Sequence, residues 1–274
     1  MPEREILIHL RRCDASSRSV LLGLRLAARL KAYAFGLHVV PIAPAAFASP
    51  EAVALHVREA DDLYRDALAC SGWWQTTLAA AGLSGEWQVA QGDTVEALCH
   101  AARWCDLVVA ERPTLQPDAP TGWGIVSRTV FGASTPVVVI PETVRGEDCG
   151  ERIVVAWNAS REGTLAIRGA LPLLAQASAV TVLEGVPHEN PFGLRYLPKL
   201  DLRAYLARHG VNATFEPFAA TKDAASALLD AARARNADLI VMGAWGHSRI
   251  AELVIGGTTR QLFQTSDIPL FVAH

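Results

Sequence analysis

The sequence predicts an α/β protein made of two tandem doubly wound domains, each a five-stranded parallel sheet with helices on both faces. Three observations predict it. Short runs rich in Val, Ile and Leu alternate with longer stretches whose apolar residues recur at three- and four-residue steps, the patterns of buried strands and amphipathic helices. The order βαβαβαβαβ is met twice, and such alternation gives a parallel sheet with right-handed crossovers. The halves also echo each other. Asp106-Leu107-Val108-Val109-Ala110 matches Asp238-Leu239-Ile240-Val241-Met242, and Arg128, Phe131 and Ser134 match Arg260, Phe263 and Ser266. Each half ends in an apolar strand led by proline, so the repeat is one whole domain long.

The first half opens with a strand at Glu5-Ile6-Leu7-Ile8-His9-Leu10, then a turn in which Asp14 or Ser16 caps a helix over 20–30. Residues 34–40 form the second strand, ended by Pro41, and one long helix is expected over 51–81. Residues 86–89 alternate as a half-exposed strand, and 93–104 read as a helix capped by Asp93 or Thr94. The strand at 106–110 is followed by a loop holding Pro113, Pro117 and Pro120, a helix over 124–131 and a last strand over 136–141. Residues 142–150, ETVRGEDCG, are charged and glycine-bearing and read as the linker. The pattern then restarts: strand 152–157, a cap at Asn158-Ala159-Ser160, helix 162–175, strand 179–183, an irregular loop, helix 197–209, strand 211–217, helix 224–235, strand 238–242 and a closing strand at 268–273.

Composition excludes several function classes. The chain has 274 residues, 51% hydrophobic, with a formal net charge of -3 and a pI near 6.2. There is no run of Lys or Arg to track a nucleic-acid backbone, and no apolar stretch reaches membrane-spanning length. The opening MPEREILIHL places a strand pattern directly after charged residues, unlike a secretory signal. Cys13, Cys70, Cys99, Cys105 and Cys149 form no C-x-x-C pair; an odd, scattered set reads as reduced thiols in a cytoplasmic protein.

The stretch with the most chemistry is ADLIVMGAWGHSRIAELVIGGTTRQLF, residues 237–263. A buried strand stops at Gly243, a polar loop carries Gly246, His247 and Ser248, and Gly256-Gly257-Thr258 lead into a helix. In open α/β sheets ligands sit beyond the carboxyl ends of the strands, and helix N-termini there favour anions. Glycine lets backbone N–H groups come close to a phosphate. Neither G-x-G-x-x-G nor a P-loop lysine is present in this stretch. Any one of these glycines alone would be read as shaping a turn; three at this spacing, between a strand and a helix, favour a ligand.

The spacing Gly243, two residues, Gly246, nine residues, Gly256 resembles the nucleotide loop of the universal stress protein A family, G-x2-G-x9-G-(S/T). With the repeat, the resemblance covers nearly the whole chain and implies a tandem member with two flavodoxin-like domains. It implies ATP as ligand, with or without Mg²⁺, in residues 151–274. Gly243, Gly246, Gly256, Gly257 and Thr258 would then surround the phosphates, and His247 and Ser248 would reach phosphate oxygens. Asn158 stands where the family has an Asp that contacts adenine and ribose, and reads either as a ligand to the nucleotide or as a helix cap. Gly257 stands where the family has Ser or Thr, a departure that costs a phosphate hydrogen bond unless Thr258 supplies it. The family's mode of pairing implies an intrachain pseudo-dimer through the edges at 136–140 and 269–273, and a homodimer of chains.

The first half, residues 1–144, departs further. In the repeat register Glu111 falls opposite Gly243 and Thr114 opposite Gly246, while Gly124 keeps its counterpart in Gly256. A carboxylate there repels a phosphate and fills its path, so this half is expected to be a degenerate domain without a nucleotide. No lysine lies in the glycine loop, and no catalytic elbow, metal motif or acid–base pair accompanies it. The reading is therefore a regulatory stress protein rather than an enzyme, with only slow incidental ATP hydrolysis. The alternative is an interaction scaffold of the same fold that binds no nucleotide.

Overall fold

The computed structural model describes residues 4–14, 17–42, 50–113, 124–144, 146–185, 201–219, 223–244 and 257–274. The chain divides into two compact units, one closing at Glu142 and the other running over Thr143–His274. The first contains β1 (Arg4–Leu10), α1 (Arg18–Leu30), β2 (Ala32–Pro41), α2 (Pro50–Ala69), α3 (Ser71–Ala80), β3 (Gly85–Gly92), α4 (Thr94–Ala101), β4 (Leu107–Arg112), α5 (Ile125–Gly132) and β5 (Val137–Pro141). The second contains β6 (Arg152–Trp157), α6 (Arg161–Leu174), β7 (Ala179–Glu184), α7 (Leu202–Arg208), β8 (Ala213–Pro217), α8 (Ala224–Ala234), β9 (Leu239–Gly243), α9 (Gly257–Thr265) and β10 (Leu270–Ala273).

Within the first unit the strands lie in the order β3-β2-β1-β4-β5, all parallel. Within the second the order is β8-β7-β6-β9-β10, again all parallel. The chain reverses its direction of travel across the sheet between β1 and β4, and between β6 and β9. Such a switch point opens a crevice at the carboxyl ends of the strands. The central strands are covered on both faces, as their unbroken apolar runs require: Ile6, Leu7 and Ile8, Val108 and Val109, Val154 and Val155, and Ile240 and Val241 are all buried.

The repeat reaches into the hydrogen bonds. Asp106 N–H donates to the Glu5 carbonyl at 2.8 Å and Asp238 N–H to the Arg152 carbonyl at 3.0 Å. Val108 N–H bonds the Pro136 carbonyl and Ile240 N–H the Pro269 carbonyl, the same position in each half. The Asp106 carboxylate accepts from Glu5 N–H at 2.9 Å. Asp238 accepts from Gly150, Glu151 and Arg152 N–H at 2.7–3.1 Å, fastening the start of β6 to the start of β9. Burial raises the Asp238 pKa against the opposing pull of those three donors.

Two expectations are corrected. The single helix over 51–81 is two helices, α2 and α3, separated at Cys70. The cysteines are not all free: Cys13, just past β1, is disulfide-bonded to Cys70, with Cα atoms 6.4 Å apart. Cys99, Cys105 and Cys149 are free thiols. Burial pushes the Cys105 thiol up to about 12 and raises Cys99 as well, which keeps both protonated and unreactive. Among the described residues no helix is long and apolar enough to cross a membrane.

Candidate functional site

The candidate site lies at the carboxyl ends of β6 and β9. After β6 the chain turns through Asn158, Ala159 and Ser160, with Ala159 in the left-handed region at φ 58. Ser160 is the N-cap of α6, and its hydroxyl accepts from Gly163 N–H at 3.0 Å. The Asn158 carboxamide oxygen accepts from Ser160 N–H at 3.3 Å. Of the two roles open to Asn158 in sequence, the helix cap falls to Ser160; Asn158 closes the turn ahead of it, and its amide nitrogen is a donor. Gly185 lies beside it, its N–H donating to the Trp157 carbonyl at 2.7 Å.

Gly243 ends β9 against the first turn of α6. A Cβ there would lie 2.4 Å from the Gly163 nitrogen, 2.6 Å from the Glu162 carbonyl carbon and 2.8 Å from the Glu162 Cβ. This glycine is required by the close approach of a helix to a strand. Gly163 belongs to the same contact and was missed in sequence. Its signal was a glycine inside the first helical turn, where it costs about 1 kcal/mol relative to alanine.

Gly257 and Thr258 open α9, which leaves the same sheet end. Both are exposed. Among the described residues nothing lies within 4 Å of where a Gly257 Cβ would point. The first turn of α9 holds no acidic residue. The helix is tied down further along, where Gln261 Nε2 donates to Asp223 Oδ2 at 3.1 Å. Gly246, His247, Ser248 and Gly256 lie outside the described residues. The structure thus sets Asn158 and Gly243 around Gly163, and Gly257 and Thr258 at the start of α9.

The matching position of the first unit is built differently. Glu111, near the end of β4, keeps only 10% of its side chain exposed. Its carboxylate accepts from Arg11 Nη1 at 3.1 Å, Ser17 Oγ at 3.1 Å and Ser19 Oγ at 3.3 Å. Ser17 is the N-cap residue of α1 and makes no capping bond of its own, and the first turn of α1 has no acidic residue. Glu111 therefore supplies the negative charge that the N-terminus of α1 favours.

The histidine most displaced in the first unit is His9, on β1. Burial, then the nearby charges of His38 and Arg11, lower its pKa from 6.5 to about 4. Among the described residues no group of three or more His, Cys, Asp or Glu side chains is arranged to hold a metal. The arrangement suits an anion at a helix N-terminus; the described residues supply no acid–base pair beside it.

The sequence pattern of the Universal stress protein family matches residues 150–274. No curated protein matches the sequence. Among solved structures, a universal stress protein from Archaeoglobus fulgidus DSM 4304 superposes with a TM-score of 0.68 at 16% identity, covering 98% of this chain and 95% of its own. A functionally unknown protein from Pseudomonas aeruginosa PAO1 gives a TM-score of 0.59 at 16% identity, covering 99% of this chain and 92% of its own. A third, from Pseudomonas aeruginosa UCBPP-PA14, gives 0.57 at 17% identity, covering 99% and 93%. At such identities the likeness is one of fold. The sequence pattern of the universal stress protein family thus falls on the second unit, over the parallel sheet with its crevice between β6 and β9.

Proposed function

We propose that the second unit binds an adenine nucleotide, ATP, as a regulatory ligand rather than as a fuel. The observation that carries the reading is the start of α9. Among the described residues nothing stands beside Gly257, and no acidic residue follows in the first turn, at the sheet end where parallel α/β proteins hold ligands. Phosphates would sit on the N–H groups of Gly257 and Thr258, joined by Gly246, His247, Ser248 and Gly256. Asn158 would offer its amide nitrogen to the ribose or base, and Mg²⁺ would arrive on the triphosphate. ATP would act by binding one state of the protein better than another and so shift it between states. The first unit takes no nucleotide, because the Glu111 carboxylate lies at the N-terminus of α1. The protein would act in the cytoplasm, as a pair of chains, without efficient catalysis.

Calorimetry with ATP and Mg²⁺ tests this. Heat that saturates at one nucleotide per chain is expected. No heat and no thermal shift at millimolar ATP would overturn the proposal. A second reading, an interaction scaffold that binds no nucleotide, is favoured by one observation: the Asn158 oxygen is already committed to Ser160 N–H. The same titration separates the two.

A further inference from the structure

Between α6 and α7 lies a cavity of about 230 Å³ that the nucleotide reading does not use. Trp157, Ile167, Leu202 and Tyr205 make its wall apolar, and Arg168, Arg208 and Asp201 bring charge to it. Asp201 is committed, its Oδ1 accepting from Ala204 N–H at 2.9 Å to cap α7. The two arginines are not. Arg203 and Arg235, on the same unit, have carboxylate partners in Glu184 and Glu216. Arg168 and Arg208 have no such partner among the described residues; Arg208 lies over the Tyr205 ring, 6.0 Å from its centroid.

We propose that this cavity binds a small aromatic monoanion: one or two fused rings carrying a single carboxylate or sulfonate. Three features select that class. The volume holds about eight waters at ~30 Å³ each, too little for a nucleotide. Two aromatic side chains offer edges and faces to a flat ring. Two guanidinium groups against one carboxylate leave one positive charge, and a guanidinium meets a planar acid group with two parallel donors. The Asp201 carboxylate counts against a ligand with a second negative charge.

The experiment uses the whole chain and 2-naphthoate as probe, followed by the indole N–H signals in a two-dimensional ¹H–¹⁵N spectrum. The Trp157 signal is assigned by its loss in Trp157→Phe. Naphthoate is expected to shift that signal saturably, and neutral 2-naphthalenemethanol to bind at least tenfold more weakly. Arg168→Gln with Arg208→Gln is expected to lower naphthoate affinity about tenfold and leave the neutral compound unaffected. A Trp157 signal unmoved at millimolar naphthoate, or equal affinity for the acid and the alcohol in the native chain, overturns the proposal. Saturating ATP is added in a parallel series. Displacement of naphthoate by ATP, together with indifference to the arginine substitutions, would put the probe in the crevice and equally overturn it.

Discussion

Buried His9 ties the stability of the first unit to pH, and the size of the effect follows from its surroundings. The side chain is 5% exposed on β1, and its pKa is lowered from 6.5 to about 4. The native state therefore holds the neutral imidazole, while the unfolded chain takes up a proton below pH 6.5. Stability falls as pH drops through the window from about 6.5 to about 4, by about 1.4 kcal/mol for each unit of displacement, or about 3 kcal/mol in full. From pH 7 to pH 5 the loss assignable to His9 is about 2 kcal/mol. Urea unfolding of the native chain and of His9→Gln at both pH values, followed by tryptophan emission, measures it. Carboxylates common to the two proteins cancel in the difference. The native chain is expected to lose about 2 kcal/mol more than His9→Gln between pH 7 and pH 5. Equal losses would refute the argument, because they would mean that protonating this imidazole costs the fold nothing.

Four further outcomes are expected. Gly257→Ser has room for its side chain and adds a hydroxyl at the start of α9. A charge-assisted hydrogen bond contributes about 1.5–3 kcal/mol, so calorimetry should give ATP affinity roughly tenfold to hundredfold higher. Gly243→Ala forces a methyl group onto the backbone of Glu162 and Gly163; thermal unfolding should show a loss of about 3 kcal/mol, with nucleotide binding lost as α6 shifts. Reducing the Cys13–Cys70 disulfide releases a constraint across a sequence separation of 57 residues. The chain-entropy argument gives about 4 kcal/mol for such a loop, and an unchanged urea midpoint after reduction would count against it. Glu111→Gln removes the charge facing Arg11, Ser17 and Ser19. Chemical denaturation should give a loss of about 1–2 kcal/mol, while ATP binding by the second unit stays as it was.

The fold was legible where physics is local. Buried parallel strands must be apolar on both faces, so runs such as Val137-Val138-Val139-Ile140 announced themselves without a partner in view. Helix starts were legible at Asp93 and Ser160, whose side chains cap them; the caps at Asp201 and Asp223 were not singled out. The break between α2 and α3 was not legible, because Cys70 keeps helical angles, φ -69 and ψ -7, and the nearby Gly72 lies inside α3 rather than at the break. The Cys13–Cys70 pairing joins residues whose nearness exists only in the folded chain. The role of Gly243 was legible as a need for no side chain. That the need comes from the first turn of α6 required coordinates. The carboxylate of Glu111 was legible as an obstacle to phosphate. Its bonds to Arg11, Ser17 and Ser19 were not.

The two units share one strand order and differ at the aligned pair Glu111 and Gly243, and the consequence runs through the helix termini. Every helix N-terminus favours negative charge close by. At α1 that charge is Glu111, reaching across from β4. At α6 it comes from within, since Ser160 caps the helix and Glu162 stands in its first turn; the removal of a side chain at Gly243 then lets α6 close directly onto β9. At α9 no first-turn acid exists, and among the described residues nothing stands beside Gly257. An anionic tail gains most where the terminal N–H groups have no internal partner of opposite charge. That condition favours α9 over α6 as its seat, so the glycines flanking the loop divide their labour. Gly243 serves the packing of α6 against β9, and Gly257 the approach of the ligand. The division has a measurable signature. Side chains added at Gly257 should change affinity with little change in melting temperature, and those added at Gly243 should lower the melting temperature first.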